Sequence, residues 1–217
     1  MNDCLKITFH LDGSGLYYDP NEPIHLDALM SWVNAPYHCT QKHLAREDVP
    51  ELVPLPLHRY DCGKGQWVWC ASALFPDGQT EETLRFWRKR FRQNRIEITR
   101  GSPNLTNGTY RDWNMPMPLT LTHKMLAYAR GHRREVLKCV KRIEYLGKKR
   151  GQGLGKIVRV EVDRIDDDRS ISWDGAAMRW LPDAAGTRLV RLRPPYWNSI
   201  DRVACCDVGD EYVEKHP

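Results

Sequence analysis

The chain opens on strict alternation. Leu5, Ile7 and Phe9 fall on one side and Lys6, Thr8 and His10 on the other, the period-2 pattern of a half-buried strand. Over 24–33 the period changes. IHLDALMSWV places its apolar residues at helical spacing, with Pro23 just ahead and Asp27 near the positive end of the helix dipole. Pro50, Pro54 and Pro56 make 44–58 an extended connection. QWVWCASAL at 66–74 reads as a well-buried strand, and Pro76-Asp77-Gly78 as a turn. Thr80 followed by Glu81 and Glu82 predicts a helix over 80–92, acidic at its start and cationic at its end. RIEITR at 95–100 alternates again. The segment 101–118, GSPNLTNGTYRDWNMPMP, is too polar for a core and too aromatic for a plain linker, which predicts a protruding loop or hairpin. A short strand follows at 119–122, then helices at 122–130 and 133–146 broken at Gly131, then the alternating strand IVRVEV at 157–162. Short Trp-, Pro- and Asp-rich segments complete the chain as further sheet and loops.

Intermixed strands and helices of this kind predict one α+β domain over 1–217, ferredoxin-like with an antiparallel sheet rather than doubly wound. A hydrophobic content of 41% supplies a core. No apolar run approaches the length of a membrane span, so no membrane association is expected. The N-terminus lacks the apolar stretch of a secretory signal, and the seven cysteines are odd in number with no C-x-x-C. Both features point to a cytoplasmic protein with reduced thiols. His38, Cys39 and His43, or Cys62 and Cys70, match no standard zinc spacing. The glycine patterns of dinucleotide and Walker-type nucleotide sites are absent as well, so neither metal nor cofactor is expected.

Charge sharpens the picture. Residues 85–160 carry 20 Lys and Arg against 4 Asp and Glu, a net of +16, whereas the whole chain carries only +5. Such segregation is the electrostatic footprint of a nucleic-acid binder. The cationic block ends in GKKRGQGLGK at 147–156. Here Gly147, Gly151, Gly153 and Gly155, with Gln152 between them, let the backbone approach a phosphate chain that Lys148, Lys149, Arg150 and Lys156 attract. Arg88 and Arg92 on the expected basic, aromatic helix, with Arg95 and Arg100 beyond it, extend the surface. Arg133 and Arg134, with His132, Lys138, Lys141 and Arg142 at near-helical spacing, are expected to join helix and glycine loop into one continuous face. In 101–118, Asn104, Asn107 and Asn114 offer amides to base edges. Tyr110 and Trp113 offer stacking faces beside Arg111; Trp113 and Met115 equally suit packing on the chain's own domain or on a neighbouring protein. His25 with Asp27 forms the strongest acid–base pairing, and also suits capping of the helix. A metal-independent endoribonuclease would use His25 or His123. Asp166-Asp167-Asp168 reads as a solvated corner more readily than as a cation site.

The order of first strand, PIHLDALM at 23–30, RGSPNLTNGTYRDWNMPMP at 100–118 and YLGKKRGQGLGKI at 145–157 resembles the RAMP superfamily of CRISPR proteins. Within it the chain looks like the small subunit of type IV (Csf) effector complexes that caps the 5′ end of the guide RNA. The resemblance implies a ferredoxin-like, RNA-recognition-motif-like core, a thumb drawn from 101–118 and a C-terminal glycine-rich loop at 147–156. It implies a non-catalytic role in an antiviral ribonucleoprotein, with crRNA and the backbone and large subunits as partners. Carried over by position, Gly147, Gly151, Gly153 and Gly155 with Lys148, Lys149 and Arg150 would hold the phosphates of the RNA handle. Target duplex DNA is a further partner that the same cations would serve.

Overall fold

The computed structural model describes residues 3–35, 52–90, 106–107 and 111–212. In chain order its elements are β1 (Asp3–Leu11), α1 (Leu26–Asn34), β2 (Arg59–Gly63), β3 (Gln66–Trp69), β4 (Phe75–Pro76), β5 (Glu81–Lys89), β6 (Trp113–Leu121), β7 (Lys124–Gly131), α2 (Arg133–Val140), β8 (Ile157–Ile165), β9 (Ser172–Trp173), β10 (Ala176–Ala177), β11 (Leu181–Pro182), β12 (Arg188–Arg191) and β13 (Arg202–Cys206). The class is α+β, with mainly antiparallel sheet and two helices.

β1 is the spine. It pairs antiparallel with β7 on one edge and β8 on the other, and β4 adds to β7, giving the order β4-β7-β1-β8. Its inward side chains Leu5, Ile7, Phe9 and Leu11 are buried, as the alternation predicts. Opposite Leu5 and Ile7 on β7 stand Ala129 and Ala127, small enough for close packing. α1 covers this face with Leu26, Met30 and Val33, and α2 with Val136, Cys139 and Val140. A second core gathers Val68, Cys70, Ile171, Trp180, Leu181, Leu192, Cys205 and Cys206 around the three-stranded sheet β11-β13-β12.

One buried side chain links the two cores. Arg179 is 1% exposed and donates from Nη1 to the carbonyls of Trp69 and Ala71. From Nη2 it reaches Asp27 at 3.1 Å, the Leu192 carbonyl at 3.2 Å and the Tyr196 hydroxyl at 2.9 Å. Tyr196 in turn donates to Asp27. Burial opposes the Arg179 charge, but Tyr196 and Asp27 more than offset it and hold its pKa above the ordinary guanidinium value. Asp27, 0% exposed, therefore anchors α1 to the C-terminal core.

Several expected elements differ. The helix expected over 80–92 is the strand β5, paired with β6 from Glu81↔Leu121 to Lys89↔Trp113. Thr83, Arg85 and Trp87 share one face, Leu84, Phe86 and Arg88 the other, a period-2 reading hidden by the acid-to-base gradient. Of the loop or hairpin expected over 101–118, the end is strand, β6 in its antiparallel pair with β5, and β6 also contains the start of the short strand expected at 119–122. The expected helix at 122–130 is β7. Helix-forming Ala and Leu occur there, but Met125, Ala127 and Ala129 are buried in alternation and both strand edges are paired. The helix at 133–146 stops at Val140. The strand at 66–74 is interrupted: β3 ends at Trp69, and Ala71 and Ala73 make single bridges to Ala129 and His25. The strand expected at 95–100 lies outside the described residues.

A candidate nucleic-acid interface around the glycine loop

The loop 147–156 leaves the end of the α2 segment and enters β8. Its two ends are tied together. Leu146 N–H donates to the Gly155 carbonyl at 2.8 Å and Ile157 N–H to the Glu144 carbonyl at 2.9 Å. A 3₁₀ turn over Arg150–Gln152 shapes the middle, with Gln152 N–H bonded to the Lys149 carbonyl at 2.8 Å. Lys149 itself adopts φ +66°, a left-handed conformation rare for a side-chain-bearing residue.

The glycines divide into two kinds. A Cβ on Gly147 would lie 2.6 Å from the Tyr17 carbonyl oxygen, and one on Gly155 2.1 Å from that of Leu146. These two positions are closed by packing. Gly151 and Gly153 have nothing within 4 Å of that position and face open space. Leu154, buried with Met117, Leu119 and Tyr17, hooks the loop onto the base of the β5–β6 ribbon. Gly155 N–H donates to the Gly15 carbonyl at 2.8 Å and Ser14 Oγ to the Gly153 carbonyl at 2.9 Å. The loop is thus pinned at its base while the stretch around Gly151 stands in solvent.

Its three consecutive cations each meet an aromatic ring from a different part of the fold. Lys148 Nζ lies 5.4 Å from the Tyr17 ring centroid and 3.5 Å from the Glu22 carboxylate. Lys149 Nζ lies 3.2 Å above Trp87 of β5, and the Arg150 guanidinium 4.7 Å above Trp32 of α1. Trp87 also meets the ring of Trp113 edge-on at 4.2 Å. A cation over an aromatic face is held by about 0.5–2 kcal/mol without being neutralised, so the charges of Lys149 and Arg150 stay oriented and available to an anion, whereas Lys148 is shared with Glu22.

Other sequence candidates distribute unevenly. Arg88 Nε donates to Asn114 at 2.9 Å, but the register puts both on the ribbon face opposite Trp87. Asn107 and Arg111 are exposed, as are Gln152 and Lys156 in the loop itself. Arg134 is exposed on α2, and Arg133 does not join the loop. Arg133 Nε donates to the Val162 carbonyl, five residues along β8 from its first residue, which is about 16 Å of strand. The continuous face expected from helix and loop is therefore not made at that end. Arg142 lies at the other end of the α2 segment, bonded to Asn34 at 2.9 Å. Arg92, Arg95, Arg100, Asn104 and Tyr110 lie outside the described residues, as do His38, Cys39 and His43.

His25 is 2% exposed, its ring 4.2 Å from that of Trp180 and 5.1 Å from that of Tyr196. Burial first, then the Arg179 and Arg188 charges, push its pKa well below the usual value, so the ring is neutral and enclosed. His123 is exposed and borders the turn that carries Ser14: a Cβ on Gly13 would sit 3.1 Å from its ring. Asp167 and Asp168 pair with Arg169 and Arg130 at 3.5 and 3.7 Å, as a charged corner does. Sequence reasoning passed over Trp32. The signal was there: α1 buries Leu26, Asp27, Met30 and Val33, and Trp32 falls off that stripe, an aromatic residue on a solvent face.

Compared with known proteins, the chain matches the family described as CRISPR type IV associated protein Csf3 over residues 3–207. No curated protein matches it.

Proposed function

Because the chain belongs to the Csf3 family of type IV CRISPR-associated proteins, we propose that it is a non-catalytic subunit of a type IV CRISPR ribonucleoprotein that holds the repeat-derived 5′ handle of the crRNA. The observation that carries this reading is the presentation of Lys148, Lys149 and Arg150 over three aromatic rings, beside the open backbone at Gly151 and Gly153. Anchored cations next to approachable backbone suit a phosphate chain.

The core is read as ferredoxin-like and RAMP-type. The succession β1-α1-β4-β7-α2-β8 and the sheet order β4-β7-β1-β8 support it, since they follow a β-α-β-β-α-β unit. The β5–β6 ribbon takes the place of the thumb. Its exposed Leu84, Phe86 and Met115 are where backbone and large subunits would seat. Among the described residues no helix is long and apolar enough to cross a membrane. A cytoplasmic ribonucleoprotein accords with that.

The test is a salt series of binding to repeat-derived RNA, comparing the intact protein with the Lys148→Ala/Lys149→Ala/Arg150→Ala variant. On a single strand, removing one cation from a phosphate lowers the slope of log affinity against log salt by about 0.7, so the variant's slope should be shallower by about 2. A folded variant with unchanged affinity and slope would sink the reading. Running the same samples in EDTA on a denaturing gel tests the endoribonuclease alternative. Cleavage by the intact protein that disappears in a His123→Ala variant would put His123, the exposed histidine beside the loop, in the catalytic role. Competition with duplex DNA shows whether the same cations also serve that polyanion.

A further inference from the structure

We propose that Trp32, on the outer face of α1, is a stacking platform for one unpaired base of the nucleic acid whose phosphates the glycine loop holds; this rests on the RNA-holding reading above. Three cation–aromatic pairs surround the loop, and they are not equivalent. Tyr17 is part of the small core with Met117, Leu119 and Leu154. Trp87 is covered by Lys149 at 3.2 Å and met edge-on by Trp113 at 4.2 Å. Both rings act as struts that fix the loop on the ribbon. Trp32 is 53% exposed, with one contact of this kind among the described residues, Arg150 at 4.7 Å.

The position of Trp32 has no role in burying α1. The helix makes its core contacts through Leu26, Met30 and Val33, on another face. An exposed indole standing beside a cation that carries phosphate is the arrangement in which a strand is gripped at the backbone while its base turns onto the ring. The occupant is therefore a single strand. In a duplex the bases are already stacked and paired, and none is free to lie on the indole. Arg150 connects the two halves of the site. Its guanidinium orients the ring and reaches toward the phosphate next to the stacked base.

Fluorescence anisotropy with labelled oligomers about 12 nucleotides long, within the span of single-stranded sites, separates base from phosphate contact. The probes are oligo(A) RNA, oligo(U) RNA and an abasic phosphodiester of the same charge. The intact protein should bind oligo(A) more tightly than the abasic chain, with oligo(U) between. Trp32→Ala should weaken oligo(A) binding about 5- to 100-fold, weaken binding of the abasic chain far less, since there only the anchoring of Arg150 is lost, and keep the salt slope of the intact protein. Trp32→Phe should recover most of the affinity. Equal binding of oligo(A) by Trp32→Ala and the intact protein overturns the platform and leaves Trp32 as a protein contact. Equal binding of oligo(A) and the abasic chain by the intact protein overturns it too, while the phosphate reading stands. No binding to any oligomer by the intact protein overturns both.

Discussion

Gly155 and Gly151 are four residues apart in one loop, yet the fold asks opposite things of them. Gly155 has φ +68° and no room for a Cβ, whereas Gly151 meets nothing within 4 Å. Gly155→Ala should therefore cost about 2 kcal/mol or more, seen as a melting temperature lower by about 5 °C. Gly151→Val should leave the melting temperature alone and weaken RNA binding, because its new methyls stand where a phosphate chain would approach. A Gly151→Val protein that melts early would show that this part of the loop is packed after all. The glycine pattern itself was legible in the sequence. The left-handed Lys149 was not, because lysine has no preference for that conformation and adopts it here at the start of the 3₁₀ turn, with its ammonium group over Trp87.

Among the elements, α1 shows how far a correct local reading extends. Its helical spacing was plain, and Asp27 near its start suited the dipole. The structure gives Asp27 a further part, as the buried acceptor for Arg179 and Tyr196. Asp27→Ala leaves a guanidinium buried without a counter-charge, and the expected destabilisation is about 3–5 kcal/mol in urea unfolding. A value below about 1 kcal/mol would mean that the hydrogen bonds Arg179 donates to carbonyls and to Tyr196 sustain it without a counter-charge. β5 and β7 show where the local reading fails. Both sequences have a helical alternative with acceptable propensity. Each strand is decided by partners: β5 by β6, whose first paired residue is 24 positions further along (Lys89↔Trp113), and β7 by β1, paired as far as Asp3↔Gly131. A helix satisfies its own backbone, but a strand depends on a neighbour that the local window does not contain.

At the scale of the whole molecule, the contact between the two cores sets an acid limit on stability. His25 sits in it with neither ring nitrogen hydrogen-bonded among the described residues. Its folded pKa lies well below the ordinary histidine value of 6.5. Above 6.5 both folded and unfolded chains carry a neutral ring, and His25 adds no pH dependence. As pH falls further, the unfolded chain takes up a proton that the folded ring refuses. Stability should then drop by as much as about 1.4 kcal/mol per pH unit until the folded pKa is reached. Urea midpoints taken between about pH 7.5 and 5, either side of the unfolded value, should show this limb in the intact protein, and His25→Phe should flatten it. Equal slopes in the two proteins would remove His25 as the cause.

Short windows of residue type and spacing were enough to specify β1, α1, the strand that became β8, the glycine loop and the segregation of charge. They also carried the resemblance to a type IV CRISPR-associated family. The strand state of β5 and β7 needed the folded chain, as did the meeting of Arg179 with Asp27 across 152 positions and of Lys148, Lys149 and Arg150 with Tyr17, Trp87 and Trp32. Those outcomes depend on partners far apart in the chain, which are brought together only when the apolar faces of the sheet and helices are buried against each other.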